Sequence, residues 1–312
     1  NSYYAAAVQA ANQNWTAWLF GSLDAANYVS IDKPPLATMI MGFSARLFGF
    51  SSFSMLLPSV LAGVGSVWLL YSAVKRQFGF TSAIISAVTL MLTPVAALMF
   101  GFNNPDAILT FMLTASGYAF LRSLEGRRPL LWLGLAGLFT GLAFNTKMLQ
   151  GLMVLPAMVI VYLAFAKPPI VTRFLHLMFA GVITTVSTLW WSVLVWLTPS
   201  GNRPWVGSTN DNSIWSLIFG YNGFGRLLGN RGGGGGGTPP SGGMAIASPG
   251  GMGGGAPSGG HGPGGTGFGG QTGIFRIFNN DFGPNIVWLL VLALASGGLL
   301  LWILHKTPRT NR

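Results

Sequence analysis

A chain of 312 residues with 51% hydrophobic and 7% charged side chains is not an ordinary soluble domain, in which roughly a quarter of residues are charged. The absence of cysteine excludes a disulfide framework, thiolate chemistry and a cysteine metal site. The formal charge of +11 is spread over the ends of apolar stretches rather than gathered in one stripe, so it is not a nucleic-acid footprint.

The chain opens at Asn1 directly in polar, aromatic sequence, which reads as a piece lacking an upstream span. Residues 1–51 hold no apolar run long enough to cross a bilayer. Tyr3 to Phe20 and Leu36 to Phe48 mix apolar, polar and aromatic positions, as helices lying in the interface do. Pro34-Pro35 opens the second of these, because proline is tolerated in a first helical turn. Spans are then expected at about 53–74, 79–100, 105–121, 130–147, 150–166 and 174–197, with a last one at 285–305. Counting the short 105–121 and 150–166 segments gives seven and keeps the orientation consistent at every loop. The short connections within 53–197 suit a compact all-α, polytopic helical bundle.

The polar ends of these spans are of two kinds. Lys75, Arg76, Arg122, Arg127, Arg128, Lys167, Arg173, Lys306, Arg309 and Arg312 make ten of the 17 Lys and Arg and mark the cytoplasmic side. Five of the six acids, at 24, 32, 106, 211 and 281, fall on the other side, with Glu125 the exception. The expected organisation is therefore a membrane region 1–230 with outer loops 1–51 and 198–230, a segment 231–273, and an outer stretch plus last helix at 274–312. Residues 231–273 begin with the unbroken run Gly232 to Gly237 and continue in Gly, Pro and Ser. That composition reads as a disordered outer loop. No Gly-Lys-Ser/Thr follows it and it lacks a three-residue period, so neither a P-loop nor collagen fits. His261 within it reads as inert, and His176 as an interfacial or core histidine.

Candidate chemistry lies at the outer ends. Asp32-Lys33-Pro34-Pro35 sets a carboxylate and an ammonium side by side at the start of an interfacial helix. Lysine there can hold a phosphate as a point charge, and the aspartate can act as base or metal ligand. The same four residues read equally well as a helix-capping Asp with a snorkelling Lys. Asn103-Asn104-Pro105-Asp106 places an acid at a helix start, where the dipole keeps it ionised; a simple cap reads the same way. Lys147, after Asn145-Thr146, is a lone cation amid apolar sequence that either snorkels or faces a cavity and binds an anion. In the loop after 174–197, Arg203, Trp205, Asn210, Asp211 and Asn212, then Arg226, interleave arginine, amides and rings. Rings cover apolar sugar faces, amides bond hydroxyls and arginine pairs with phosphate oxygens.

Asn1 to Phe20 with Asp32-Lys33-Pro34-Pro35, Asn103 to Asp106, Arg203 to Arg226 and Phe278-Asn279-Asn280-Asp281 together resemble bacterial, especially actinobacterial, members of the protein O-mannosyltransferase and aminoarabinose-transferase superfamily. The resemblance covers nearly the whole chain outside the glycine-rich segment, and the Asp-Lys-Pro-Pro step is its most specific part. It implies a GT-C fold of the glycosyltransferase family 39 type. It also implies transfer of a sugar from a polyprenyl-phosphate donor to a protein, glycolipid or wall-polymer acceptor outside the plasma membrane. By that resemblance Lys33 contacts the donor phosphate and Asp106 lines the catalytic cavity. The family places an acidic pair at the start of its first outer loop, where this chain has Asn1-Ser2-Tyr3-Tyr4. The catalytic base is therefore expected at Asp32 first and Asp106 second, or the chain binds donor without efficient turnover.

The expected reaction is an inverting displacement, with Lys33 and Arg203 or Arg226 stabilising the departing phosphate and Asn103, Asn104, Lys147, Trp205, Asn210, Asp211 and Asn212 holding sugar or acceptor. The carboxylates could hold a divalent ion, although no ligand spacing demands one, and no nucleic acid is implied. The family also continues past a last span like 285–305. A transporter or flippase, which concentrates ionisable groups at the midplane and often shows repeats, and a non-catalytic membrane subunit are the alternatives.

Overall fold

The computed structural model describes residues 1–224 and positions 291, 294 and 295; the expected glycine-rich segment with His261, the last span at 285–305, Arg226 and Asp281 lie outside these. Ten α-helices follow in chain order among the described residues. They are α1 (Ser2–Gln13), α2 (Trp15–Phe20), α3 (Leu36–Phe48), α4 (Ser52–Leu92), α5 (Pro94–Phe100), α6 (Asp106–Leu124), α7 (Pro129–Lys147), α8 (Leu149–Leu152), α9 (Leu155–Phe165) and α10 (Ile170–Leu197). A 3₁₀ turn at Ser200–Asn202 and a π-helical stretch at Ser216–Phe224 close the described part.

The first interfacial helix, expected as one piece, is broken at Asn14 (φ −135°, ψ 130°). Its side chain accepts from the Thr16 amide at 2.8 Å, trading one helical residue for a cap on the next helix. The start of α4 is fixed by a reciprocal cap: Ser54 N donates to Ser51 Oγ at 3.2 Å, and Ser51 N donates to Ser54 Oγ at 3.1 Å.

The loop expected between spans 53–74 and 79–100 is reduced to one residue. Helix continues through Lys75 to Phe78 and breaks at Gly79 (φ 85°, ψ −178°), a conformation that only glycine adopts without strain. A straight helix of 41 residues would extend roughly 60 Å and carry its end far from its beginning. Instead a Cβ built on Gly63 lies 2.8 Å from the Phe100 ring. The chain therefore doubles back at Gly79 and returns through Leu92, with a second break at Thr93 before Pro94 opens α5.

Contacts at the two ends of α6 give the direction of every traverse. At its start, Asp106 pairs with Lys147, the last residue of α7. At its far end, Glu125 binds Arg76 beside the Gly79 reversal, and its carbonyl accepts from Lys167 at 2.8 Å. The stretch from Lys147 to Lys167 thus covers the same height as α6. Six passes, at 52–78, 80–100, 106–124, 129–147, 149–165 and 170–197, alternate between the two ends among the described residues. Four helices, α4, α6, α7 and α10, are individually long and apolar enough to cross a membrane. The α8–α9 run is shorter and interrupted after Leu152.

The centre of the bundle is α6, α7 and α10. Gly134, Gly137 and Gly141 let α7 lie directly on α10, with a Cβ built on Gly137 only 2.5 Å from Thr184 Oγ1 and one on Gly141 only 1.9 Å from Ser187 Oγ. Close approach at small residues is the usual basis of helix association in lipid, where no hydrophobic force drives it. Asn145 continues the same face one turn on, and its buried amide donates to the Ser187 carbonyl at 2.7 Å. Ser116 Oγ and Thr140 Oγ1, 2.8 Å apart, tie α6 to α7. Phe43, Val64, Trp68, Phe80, Val182 and Val186 are among the many large apolar residues left exposed, as a lipid-facing surface requires.

Candidate active site

At the end of the bundle where α6 begins, residues 21–35 fold over α1. Gly21 (φ 66°) turns the chain after α2, and a Cβ there would lie 2.8 Å from Pro35 Cβ. The Ile31 amide returns to the Gly21 carbonyl at 2.8 Å. This closure fixes Asp32 and Lys33 against the first turn of α1. The Lys33 ammonium donates to Tyr4 Oη and to Asp32 Oδ2, both at 2.8 Å, and the Lys33 residue is only 9% exposed. The Asp32 amide donates to Tyr3 Oη at 2.9 Å. Burial of the Tyr3 hydroxyl, then the neighbouring Asp32 charge, raises that phenol above its ordinary range, so it stays a neutral hydroxyl at physiological pH.

The far side of Asp32 is covered from the π-helical stretch. Asn222 Nδ2 donates to the Asp32 carbonyl at 2.9 Å, and Tyr221 Oη lies 3.4 Å from Asp32 Oδ2. One carboxylate oxygen, Oδ1, is buried and makes no hydrogen bond among the described residues. Asp32 and Lys33, expected side by side, form an ion pair of 2.8 Å. Its cage of Tyr3, Tyr4, Tyr221 and Asn222 was not foreseen. Tyr3 and Tyr4 carried a faint signal, as adjacent tyrosines at a helix start facing the Asp-Lys step.

The Asn103–Asp106 corner lies at the same end, linked through α1. Asn103 Nδ2 donates to the Asn1 carbonyl at 2.8 Å, one turn of helix before Tyr4. Asn104 Oδ1 accepts from the Asp106 amide at 3.0 Å, and its Nδ2 approaches Asp106 Oδ2 at 3.3 Å. Asp106 Oδ1 receives the Lys147 ammonium. Lys147 therefore does not snorkel freely: it answers the carboxylate at the start of the neighbouring helix. Met148, at φ 51°, turns the chain immediately after it.

The loop after α10 lies along residues 28–31, as a parallel bridge between Val29 and Trp205. Trp205 N donates to the Tyr28 carbonyl at 2.9 Å, Ser30 N donates to the Trp205 carbonyl at 2.8 Å, and Gly207 N donates to Ser30 Oγ at 3.0 Å. Gly207 has no room for a side chain, since its Cβ would sit 2.1 Å from the Ser30 carbonyl oxygen. The Trp205 ring is partly exposed beside this junction.

Arg203, expected on a phosphate, is directed inward. Its guanidinium donates to the carbonyls of Thr198, Pro204 and Asn212 at 3.2, 3.3 and 3.0 Å, and to Asn212 Oδ1 at 2.7 Å. Asn212 Oδ1 also accepts from the Val206 amide. These two residues brace the loop. Asp211 accepts from Ser216 Oγ at 2.6 Å and from the Ser213 amide, and the Ser216 hydrogen bond is the main reason its carboxyl lies below the usual range. Asn210 is exposed. Among the described residues no three His, Cys, Asp or Glu side chains gather at one point.

An apolar groove of about 380 Å³ opens between α3, α4 and α6 and is lined by Ile40, Phe43, Leu57, Leu61, Phe111 and Met112, among others. It begins one turn or so from Asp106 along α6.

Residues 32–191 match the family described as dolichyl-phosphate-mannose-protein mannosyltransferase, more than half of the chain. Over 229 residues the chain is 39% identical to YkcB, a mannosyltransferase-like protein of Bacillus subtilis, covering 73% of this chain and 32% of that one. It is 30% identical over 141 residues to undecaprenyl phosphate-α-4-amino-4-deoxy-L-arabinose arabinosyl transferase 1 of Proteus mirabilis, covering 44% of this chain and 25% of the relative. The chain thus spans about a third or less of the length of these curated relatives. Crystal structures of ArnT from Cupriavidus metallidurans share the fold. The apo form gives a TM-score of 0.53 at 24% identity, over 62% of this chain and 36% of ArnT. The form bound to undecaprenyl phosphate gives 0.50 at 23%, over 62% and 34%. The helical bundle and the family match agree: the chain belongs to the dolichyl-phosphate-mannose-protein mannosyltransferase family of GT-C-type membrane proteins.

Proposed function

We propose that this chain forms the donor-handling region of a membrane glycosyltransferase, which moves a sugar from a polyprenyl-phosphate carrier to an acceptor hydroxyl at the extracytoplasmic face of the plasma membrane. The observation that carries the proposal is the caged pair at the bundle end: a nearly buried ammonium at Lys33, beside a carboxylate whose Oδ1 has no hydrogen-bond partner among the described residues. The family relation, and a fold shared with a protein solved with undecaprenyl phosphate bound, support a lipid-phosphate donor. The basic helix ends opposite the site support its orientation.

In this reading Lys33 holds the donor phosphate, since a compact ammonium already desolvated by tyrosines binds an anion strongly. Lys147, oriented by Asp106 and Asn104, supplies a second cation at the same end. Asp32 acts as base: Oδ1 accepts the proton of the acceptor hydroxyl, the acceptor oxygen bonds to the anomeric carbon, and the bond from that carbon to the phosphate oxygen breaks. Its electron pair leaves on the phosphate, where Lys33 stabilises it. Asp106 is the second candidate for the base. The partly exposed Trp205 ring, with Asn210, faces the sugar or acceptor, while Arg203, Asp211 and Asn212 keep that loop in place and buried Asn103 anchors the start of α1. The isoprenoid tail lies in the groove between α3, α4 and α6, so the donor reaches the site from within the bilayer.

The test is sugar transfer from a polyprenyl-phosphate sugar by protein reconstituted in liposomes. Lys33→Gln and Asp32→Asn should each lower the rate at least a hundredfold, with membrane insertion and helix content unchanged. Full activity in either variant, or lipid translocation with no sugar transfer by the unaltered protein, refutes the proposal.

A further inference from the structure

The end of the bundle opposite the site is organised around one acid. Glu125 is the sole Asp or Glu among the described residues at that end, where Lys75, Arg76, Arg122, Arg127, Arg128, Lys167 and Arg173 also lie. Arg76 reaches it through two bonds of 2.8 and 2.7 Å, Arg122 through one of 3.1 Å, and Lys167 takes its carbonyl at 2.8 Å. Gly126, at φ 83°, passes beneath the Lys167 stem, where a Cβ would lie 2.9 Å from Lys167 Cδ. This knot draws the Gly79 reversal, the 125–128 turn and the 166–169 connection into one corner. Arg173 is committed elsewhere, to the carbonyls of Leu163 and Pro168.

Among the described residues, three cations at this corner have neither a carboxylate nor a carbonyl as partner. Arg127 and Arg128 are exposed on the turn after Glu125, and exposed Lys75 lies over the rings of Tyr71 and Phe80 at 5.4 and 6.0 Å. Just beyond them the surface turns apolar: Phe78, Phe80, Leu131, Phe165 and Val171 are each more than half exposed. Cations with unsatisfied donors above an apolar, lipid-facing rim match the two parts of a phospholipid, a phosphate at the headgroup level and acyl chains below it. The rim separates this corner from a site for a free anion or for nucleic acid, which would need no apolar surface beside the charge. Positive charge at a helix end sets orientation by itself. The added feature here is that the Glu125 carboxylate is taken by Arg76 and Arg122 and its carbonyl by Lys167, which leaves Lys75, Arg127 and Arg128 available.

We infer that the corner formed by Lys75, Arg127 and Arg128 around the Glu125 knot binds the headgroup phosphate of an anionic phospholipid in the leaflet opposite the candidate active site. The inference does not depend on the glycosyltransferase reading, and neither Lys33 nor Asp32 takes part. The interaction is electrostatic, so it weakens as salt shortens the screening length.

Native mass spectrometry of the detergent-purified protein tests it, with phosphatidylglycerol, cardiolipin and phosphatidylcholine added in turn and inorganic phosphate as a fourth arm. The expected result is retention of the two anionic lipids, with phosphatidylcholine and phosphate lost under the same conditions. At roughly a fivefold change in binding for each surface cation, the variant Lys75→Gln/Arg127→Gln/Arg128→Gln should bind phosphatidylglycerol about a hundredfold more weakly. Arg46→Gln, which removes a cation of α3 at the other end, should bind it as the unaltered protein does. Equal retention of phosphatidylcholine, competition by phosphate alone, or undiminished binding by the triple variant overturns the inference. If the triple variant does not fold, raising the salt on the unaltered protein decides the matter: phosphatidylglycerol retention that is indifferent to ionic strength refutes it.

Discussion

Replacing Gly207 with Ala perturbs the candidate site without touching a charged group. A Cβ at this position would lie 2.1 Å from the Ser30 carbonyl oxygen and 3.1 Å from its carbon, whereas ordinary contact needs roughly 3.5 Å. One strand of the 28–31 and 203–207 junction must therefore retreat by about 1.4 Å. The obstruction is backbone, so no rotamer relieves it. The junction rests on three bonds, at 2.8, 2.9 and 3.0 Å, worth about 1 kcal/mol each, so its local stability falls by about 3 kcal/mol. Asp32 and Lys33 follow directly on Ser30-Ile31, and a misplacement of about 1 Å at reacting groups can cost about a hundredfold in rate. Transfer from a polyprenyl-phosphate sugar in liposomes should fall by that factor, while helix content and the thermal midpoint in detergent change little, because α6, α7 and α10 are untouched. Gly201→Ala is the control: it lies in the same loop with nothing within 4 Å of its Cβ. Wild-type turnover by Gly207→Ala, or an equal loss in Gly201→Ala, would refute the reasoning.

Three further outcomes follow from the packing and the charges. Gly141→Ala, whose Cβ would meet Ser187 Oγ at 1.9 Å, should separate α7 from α10 and lower the thermal midpoint sharply, whereas Gly117→Ala, with open space around it, should be neutral or stabilise α6 by up to about 1 kcal/mol. Lys147→Met leaves the half-buried Asp106 carboxylate without its cation; combined with Asp106→Leu it should recover part of the loss, giving a coupling of about 1 kcal/mol or more in detergent unfolding. Arg76, through its hydrogen bonds, holds the Glu125 carboxyl below the usual glutamate value of 4.5. A carboxyl with a depressed folded-state pKa contributes stability that is complete above about pH 4.5 and lost as pH falls through the folded value. Melting curves of the unaltered protein should show that acid loss, and Glu125→Gln should flatten it; identical profiles for the two would exclude the knot as a source of stability.

Much of the architecture is legible because lipid imposes simple rules. Apolar runs had to be helices, and their basic and furnished ends had to alternate, which correctly sends Asp106 and Lys147 to one end and Arg76 and Lys167 to the other. The Gly79 reversal was missed as a one-residue event because Lys75-Arg76-Gln77 looks like a loop, whereas long cationic side chains are good helix formers and can reach the interface from a continuing helix. The Asp-Lys-Pro-Pro step could be seen to be rigid, since two prolines fix the backbone after it. Its tyrosine and asparagine cage could not, because Tyr221 and Asn222 lie 189 and 190 residues from Asp32 and periodicity carries no information at that range. Arg203 misled for a related reason: composition gives its charge, but only the folded loop shows that its donors are taken by carbonyls at 198, 204 and 212.

The junction of residues 28–31 with 203–207 also sets an order of events during biogenesis. The aspartate and lysine precede all six described passes, yet their roof is delivered by a stretch that follows α10. Until that helix has been inserted and its trailing loop released, the pair stands open to water. A chain held at the point where α10 has just been inserted would have the six described passes without this roof, so the surroundings of the pair should be completed in a single step rather than growing with each inserted helix.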